Sequence, residues 1–213
     1  MGYKIPDKMS ADALKTFCTK TISALKAHGT KITIPQTILD PWIEFRTKVR
    51  AHLSEREQLE EQATETRAVL EVTDTYWDAN LGKCSSESYH VSGKKADNEP
   101  YRSLFGTIKA VEAKVMGPTQ ATLFGEQLIA RANVINHEEL KAPFNQFALI
   151  NGELKTAGLN RDAKTLALEL HTLKVKPLLN EAQDLLNKTE AQLLSLYPGN
   201  DTLIRSTLNP RED

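Results

Sequence analysis

From Trp42 to Leu81 the chain runs for 40 residues without a glycine or a proline. Steps of seven from Trp42 land on Val49, Arg56, Ala63, Leu70, Trp77 and then Cys84, an apolar rhythm of helical period with one charged exception. Asp40-Pro41 stands before the run and Gly82 after it: an acidic N-cap, a proline at the first helical position, and a glycine suited to ending a helix. At about 1.5 Å per residue such a helix is roughly 60 Å long, far beyond the usual globular helix of about 11–12 residues. Its apolar content lies at the ends: Trp42, Ile43, Phe45, Val49 and Leu53 at one, Val69, Leu70, Val72, Tyr76, Trp77 and Leu81 at the other. The middle, Ser54 to Arg67, sets Glu55, Arg56, Glu57, Glu60, Glu61, Glu65 and Arg67 around Leu59 and Ala63. That middle cannot bury a wide face. The run reads as a spacer holding two packed regions apart rather than as a continuous coiled coil.

The flanking sequence is also helical in pattern. Ser10 caps a predicted helix to about Ala27, with Asp12 at its positive end and Leu14, Phe17, Cys18, Ile22 and Leu25 on one stripe. Gly29 ends it, and the β-branched link Thr30 to Leu39 holds at most a short edge strand because of Pro35. Gly82 to Asn98 is serine-rich and reads as the main loop, although the helix can continue through Gly82 to Val91 at a cost of about 1 kcal/mol. Glu99 to Gly106 predicts a short helical turn, and Ile108, Val111 and Val115 keep helical spacing up to Gly117-Pro118.

A third main helix is predicted over Thr119 to Val134, with Leu123, Leu128, Ile129 and Ala132 inward. Asn136 and Glu139 have capping-box spacing for the next helix, over Leu140 to Leu154; Pro143 has to fall near its first turn or at a kink, and Gly158 is its expected end. A leucine-rich stretch, Arg161 to Tyr197, is interrupted by Pro177, which predicts a kink or two helices meeting near Lys176. Pro198-Gly199-Asn200 is a turn, Asp201 caps a terminal helical turn, and Asn209 to Asp213 is expected to fray.

These elements predict an all-α fold, an elongated helical bundle with long antiparallel helices as coiled-coil-like arms. The chain reads as one domain, 1–213, with a loose division near 93–118 into two helical-hairpin halves. At this length it can bury a substantial core. Aromatics make up only 6% of it, so that core is built mainly from Leu, Ala, Val and Ile.

Charge excludes more than it assigns. The 27 basic and 28 acidic residues nearly cancel, which provides no field to attract nucleic acid or an anionic membrane. No apolar run approaches the roughly 20 residues that cross a bilayer, and Met1 to Pro6 lacks a signal core and the myristoylation pattern. Cys18 and Cys84, far apart and without metal spacing, suit a reducing, cytoplasmic setting.

No catalytic constellation emerges. Glu87 and His90 form the single Glu-x-x-His spacing, whereas a di-iron bundle needs a second copy and two further glutamates. Cys84 with His90 lacks a nucleophile signature, and its place on a helical stripe fits a small core hydrophobe. His137-Glu138-Glu139 lacks the second histidine of a zincin, and His52 and His171 read as solvent-facing positions on long helices. Gly117, Gly125, Gly152 and Gly158 are isolated and build no phosphate loop. Trp42, Trp77, Tyr101 and Phe105 are candidate anchors for a partner, against the simpler reading of core packing. The expectation is a non-enzymatic structural or interaction protein without a cofactor, which associates with a protein partner or with itself and not with nucleic acid or membrane. The alternative is a small-ligand or metal-binding bundle that uses Cys84, Glu87 and His90.

Overall fold

The computed structural model describes residues 3–208, which fold as eight α-helices with no strand among them. The fold is all-α. The expected fraying tail, Asn209 to Asp213, and the first two residues lie outside the described residues. The helices are α1 (Ala11–Gly29), α2 (Gln36–Val91), α3 (Tyr101–Phe105), α4 (Ala110–Ala113), α5 (Pro118–Ile135), α6 (Glu138–Leu173), α7 (Val175–Leu196) and α8 (Asp201–Leu208).

The long helix exceeds the predicted run at both ends. α2 has 56 residues and places Pro41 inside rather than at its first position. It starts earlier because Pro35, which cannot itself extend a helix backward, offers its carbonyl to the amides of Ile38 and Leu39 at 3.0 and 3.4 Å. Pro41 then falls at the sixth helical position, and Pro143 falls at the sixth position of α6, so each costs one backbone bond near a helix start. Past Gly82, Ser88 and Ser92 donate back to the carbonyls of Cys84 and Ser88, and Ser92 Oγ accepts the Tyr101 amide at 2.8 Å. The bond to Tyr101 fastens the loop that follows α2 to its last turn.

The chain forms two compact units, one of residues up to Glu60 with Ala167 onward, the other Glu61–Leu166. Residues 93–118 lie wholly inside the second unit. In the first, Leu14, Phe17, Cys18, Ile22 and Leu25 of α1 pack with Ile38, Trp42, Phe45 and Val49 of α2 and with Leu179, Ala182, Leu186 and Leu193 of α7. α8 closes this core with Leu203, Ile204 and Leu208. The pairs Trp42–Thr189, Lys48–Glu181 and His52–His171 descend along one helix as they ascend the other, so α2 runs antiparallel to α7 and the end of α6. In the second unit Gln62–Lys164, Trp77–Asn151 and Cys84–Pro143 give α2 and α6 the same antiparallel sense. Its core joins Leu70, Trp77, Leu81 and Cys84 to Leu104, Phe105, Phe124, Leu128, Phe144, Phe147 and Leu154. Along α2, no side chain between His52 and Leu70 is buried, as the polar composition there requires.

Several boundaries differ from the sequence reading. Asn136 does not open α6. It closes α5 in the left-handed conformation, φ 49°, its amide bonded to the Ala132 carbonyl, because asparagine tolerates that conformation and serves as a stop. Gly158 and Asn160 do not interrupt α6, which continues to Leu173; the neighbouring buried Leu154 and Ala157 hold the turn that glycine weakens. The break near Pro177 is real, two helices meeting at Lys174. Asn200, not Asp201, caps α8 by accepting the Leu203 amide at 3.2 Å. Val111, Val115 and Leu123 point outward, and Ala110, Ala113, Ala121 and Phe124 take the buried positions.

Candidate functional site

Three of the four predicted anchor residues are core residues. Trp42, Trp77 and Phe105 are fully buried and Tyr101 is half-buried. Trp42 meets Phe17 edge-on at 5.7 Å, and Trp77 packs against Phe147 at 5.5 Å. Each indole N–H finds one acceptor on a facing helix. Trp42 donates to Thr189 Oγ1 at 2.9 Å, and Trp77 donates to Asn151 Oδ1 at 2.8 Å. These pairings satisfy the one polar group of a buried tryptophan. Rings this enclosed are not available to a partner.

Cys84, Glu87 and His90 do not converge. Cys84 points inward and donates its S–H to the Pro143 carbonyl at 3.4 Å, while Glu87 and His90 are exposed. Burial pushes the Cys84 thiol up to about 12, and Cys18 likewise to about 12. A thiol held protonated in this way is a packing group rather than a nucleophile. Among the described residues no three His, Cys, Asp or Glu side chains are arranged to hold a metal ion.

Two arrangements were not evident in the sequence. In the second unit, Asn151 Nδ2 donates to the Thr122 carbonyl at 3.2 Å while its oxygen holds Trp77. The approach is so close that a Cβ on Gly125 would lie 2.0 Å from Asn151 Oδ1. In the first unit, the imidazoles of His52 and His171 stack with centroids 4.1 Å apart. His171 Nε2 donates to the His52 carbonyl at 3.0 Å, since a carbonyl oxygen can only accept, and His171 Nδ1 lies 3.4 Å from Glu55 Oε1. Lys174 also reaches Glu55, at 3.1 Å, and chiefly holds that carboxyl below its usual range. Rings stacked face to face cannot aim two nitrogens at one ion, so this is not a metal centre. Both histidines are buried, contrary to the solvent-facing reading, because each imidazole's apolar face packs against the other. No spacing signal could have found this pair, whose members are 119 residues apart.

An open groove with charged walls runs along α1 and α2 in the first unit. Its three basic and three acidic residues balance, and four of them pair directly, Lys15 with Asp12 at 3.5 Å and Arg56 with Glu60 at 2.8 Å. A groove whose charges are paired in this way has little field left to select a charged ligand. The second unit offers apolar surface instead. On α2, Val69, Val72 and Tyr76 are 57%, 57% and 60% exposed. Their spacing of three and four places them on one helix face, bordered by the exposed Glu65 and Lys83. Leu123 of α5 and Leu159 of α6 line an apolar groove of the same unit. No helix of the described residues is long and apolar enough to cross a membrane.

No protein-family model matches the chain, and comparison with curated proteins and with solved structures likewise finds no match.

Proposed function

We propose that this is a non-enzymatic interaction protein, cytoplasmic, whose second unit binds a protein partner through the exposed apolar face of α2. The observation that supports it most is the alignment of Val69, Val72 and Tyr76 on one face with a polar border. Apolar side chains aligned along a helix and rimmed by charge suit association with an amphipathic surface. Both thiols are free, consistent with a reducing compartment. The aromatic core residues have a different role, keeping the helix that carries this face rigid.

The test is light scattering and native mass determination on the chain isolated from its own source, beside Val72→Glu and Tyr76→Glu. The face sits in solvent, so neither substitution should move the melting temperature by more than about 0.5 kcal/mol equivalent. The parent should migrate in a complex larger than one chain, and each variant should return to monomer. A parent that is monomeric in the native extract, or variants that keep the complex, would refute the reading.

A further inference from the structure

His52 and His171 are 7% and 1% exposed, with ring planes within 15° of parallel. The two rings differ in their surroundings. His171 Nδ1 is within ion-pair distance of the Glu55 carboxylate, 3.4 Å, though without a hydrogen bond, and its Nε2 donates to the His52 carbonyl. His52 Nε2 has no hydrogen-bond partner. Protonating His52 makes both ring nitrogens donors, and so places a positive charge in a buried site, against another imidazole, with Nε2–H left without an acceptor.

The surrounding charges do not relieve it. His171 of α6, Lys174 at the junction, and Glu55 and Arg56 of its own helix act on His52. The two cations oppose a further positive charge, and the single carboxylate is already engaged by Lys174 at 3.1 Å. From α1, Asp12 and Lys15 face the groove that Arg56 and Glu57 line.

The location gives the pair leverage. His171 stands in the last turn of α6, and Lys174 alone separates that helix from α7, its amide bonded to the His171 carbonyl at 3.0 Å. Helix ends open at lower free energy than helix centres. We propose that the His52–His171 stack is an acid-sensitive latch that clamps the end of α6 to α2 and releases the α6–α7 junction when His52 takes up a proton. Burial and the neighbouring His171 lower the basicity of His52 in the closed state. The opened chain then binds more protons below about pH 6.5, the ordinary histidine value. Closure is fully favoured above that pH and weakens as the pH falls through it.

Amide hydrogen exchange on the full chain between about pH 7.5 and 5.5, corrected for the intrinsic pH dependence of exchange, reads the opening directly. Peptides covering 168–178 should open more readily, by up to about tenfold per pH unit below about 6.5, with peptides covering 140–157 little changed. His52→Phe keeps a flat ring in the stack and removes the titration, so its junction should lose the acid response; His52→Asn serves if the phenylalanine variant does not fold. Three results would overturn the latch: a wild-type junction unchanged across the range, equal opening of both peptide sets, or a His52 variant with the wild-type response.

Discussion

Gly125→Ala isolates the tightest contact in the second unit. On an exposed helix the change stabilises by about 1 kcal/mol, because alanine loses less backbone freedom on folding. Here the added methyl would sit 2.0 Å from Asn151 Oδ1 and 2.6 Å from its Cγ. No side chain tolerates that distance, so Asn151 must move. It then releases the Trp77 indole N–H, fully buried and with no other acceptor, and the bond from its own amide to Thr122. An orphaned buried donor costs about 1–3 kcal/mol and the second bond about 0.5–1.5 kcal/mol. Less the propensity gain, the net loss is about 0.5–3.5 kcal/mol, a fall in melting temperature of roughly 2–4 °C per kcal/mol at this chain length. Thermal melts followed by circular dichroism measure it, and the sign is diagnostic. In an Asn151→Ala background the methyl has no oxygen to meet, so Gly125→Ala should be neutral or stabilising there. A single Gly125→Ala variant that melts higher than the parent, or an equal loss in both backgrounds, refutes the close approach.

The corresponding bond of the first unit gives a simpler prediction. Thr189→Val preserves shape but leaves the Trp42 N–H without its acceptor, and should cost about 1–3 kcal/mol in urea unfolding, whereas Thr189→Ser keeps the hydroxyl and should cost clearly less. A valine variant as stable as the parent would show that the bond contributes little. With both thiols raised to about 12, the thiolate at pH 8 is on the order of one part in ten thousand. A thiol-specific chromogenic reagent should therefore find no reactive cysteine in the folded chain and two after denaturation; prompt labelling of either thiol in the native protein would contradict its enclosure.

The sequence makes the helices legible where one periodic face meets one core. Ser10 as the α1 cap, the stripe Leu14–Phe17–Cys18–Ile22–Leu25, and a break ahead of Pro177 all follow from spacing and backbone chemistry. Boundaries depart from the sequence pattern where a residue has two local uses. Asn136 can cap a beginning or stop an end, and only the path of the chain beyond Ile135 decides which. Gly158 costs a helix about as much as one buried apolar contact returns, so tertiary packing sets the outcome. The candidate sites are less legible. The aromatic residues most conspicuous in the sequence, Trp42 and Trp77, are the most enclosed in the fold, whereas Val69 and Val72 look like interior residues and face solvent. The histidine stack and the Gly125–Asn151 approach join residues from different helices, and no local pattern encodes either.

The two tryptophans have a practical value beyond their packing. They are the only two in the chain, Trp42 belongs to one hydrophobic cluster and Trp77 to the other, and each indole is fully enclosed. Enclosed indoles shift their emission when water reaches them. Replacing one tryptophan with phenylalanine at a time therefore leaves a chain with a single optical reporter, specific to one core. Comparing the two denaturation curves would reveal whether the cores melt in concert or in sequence, with no label attached.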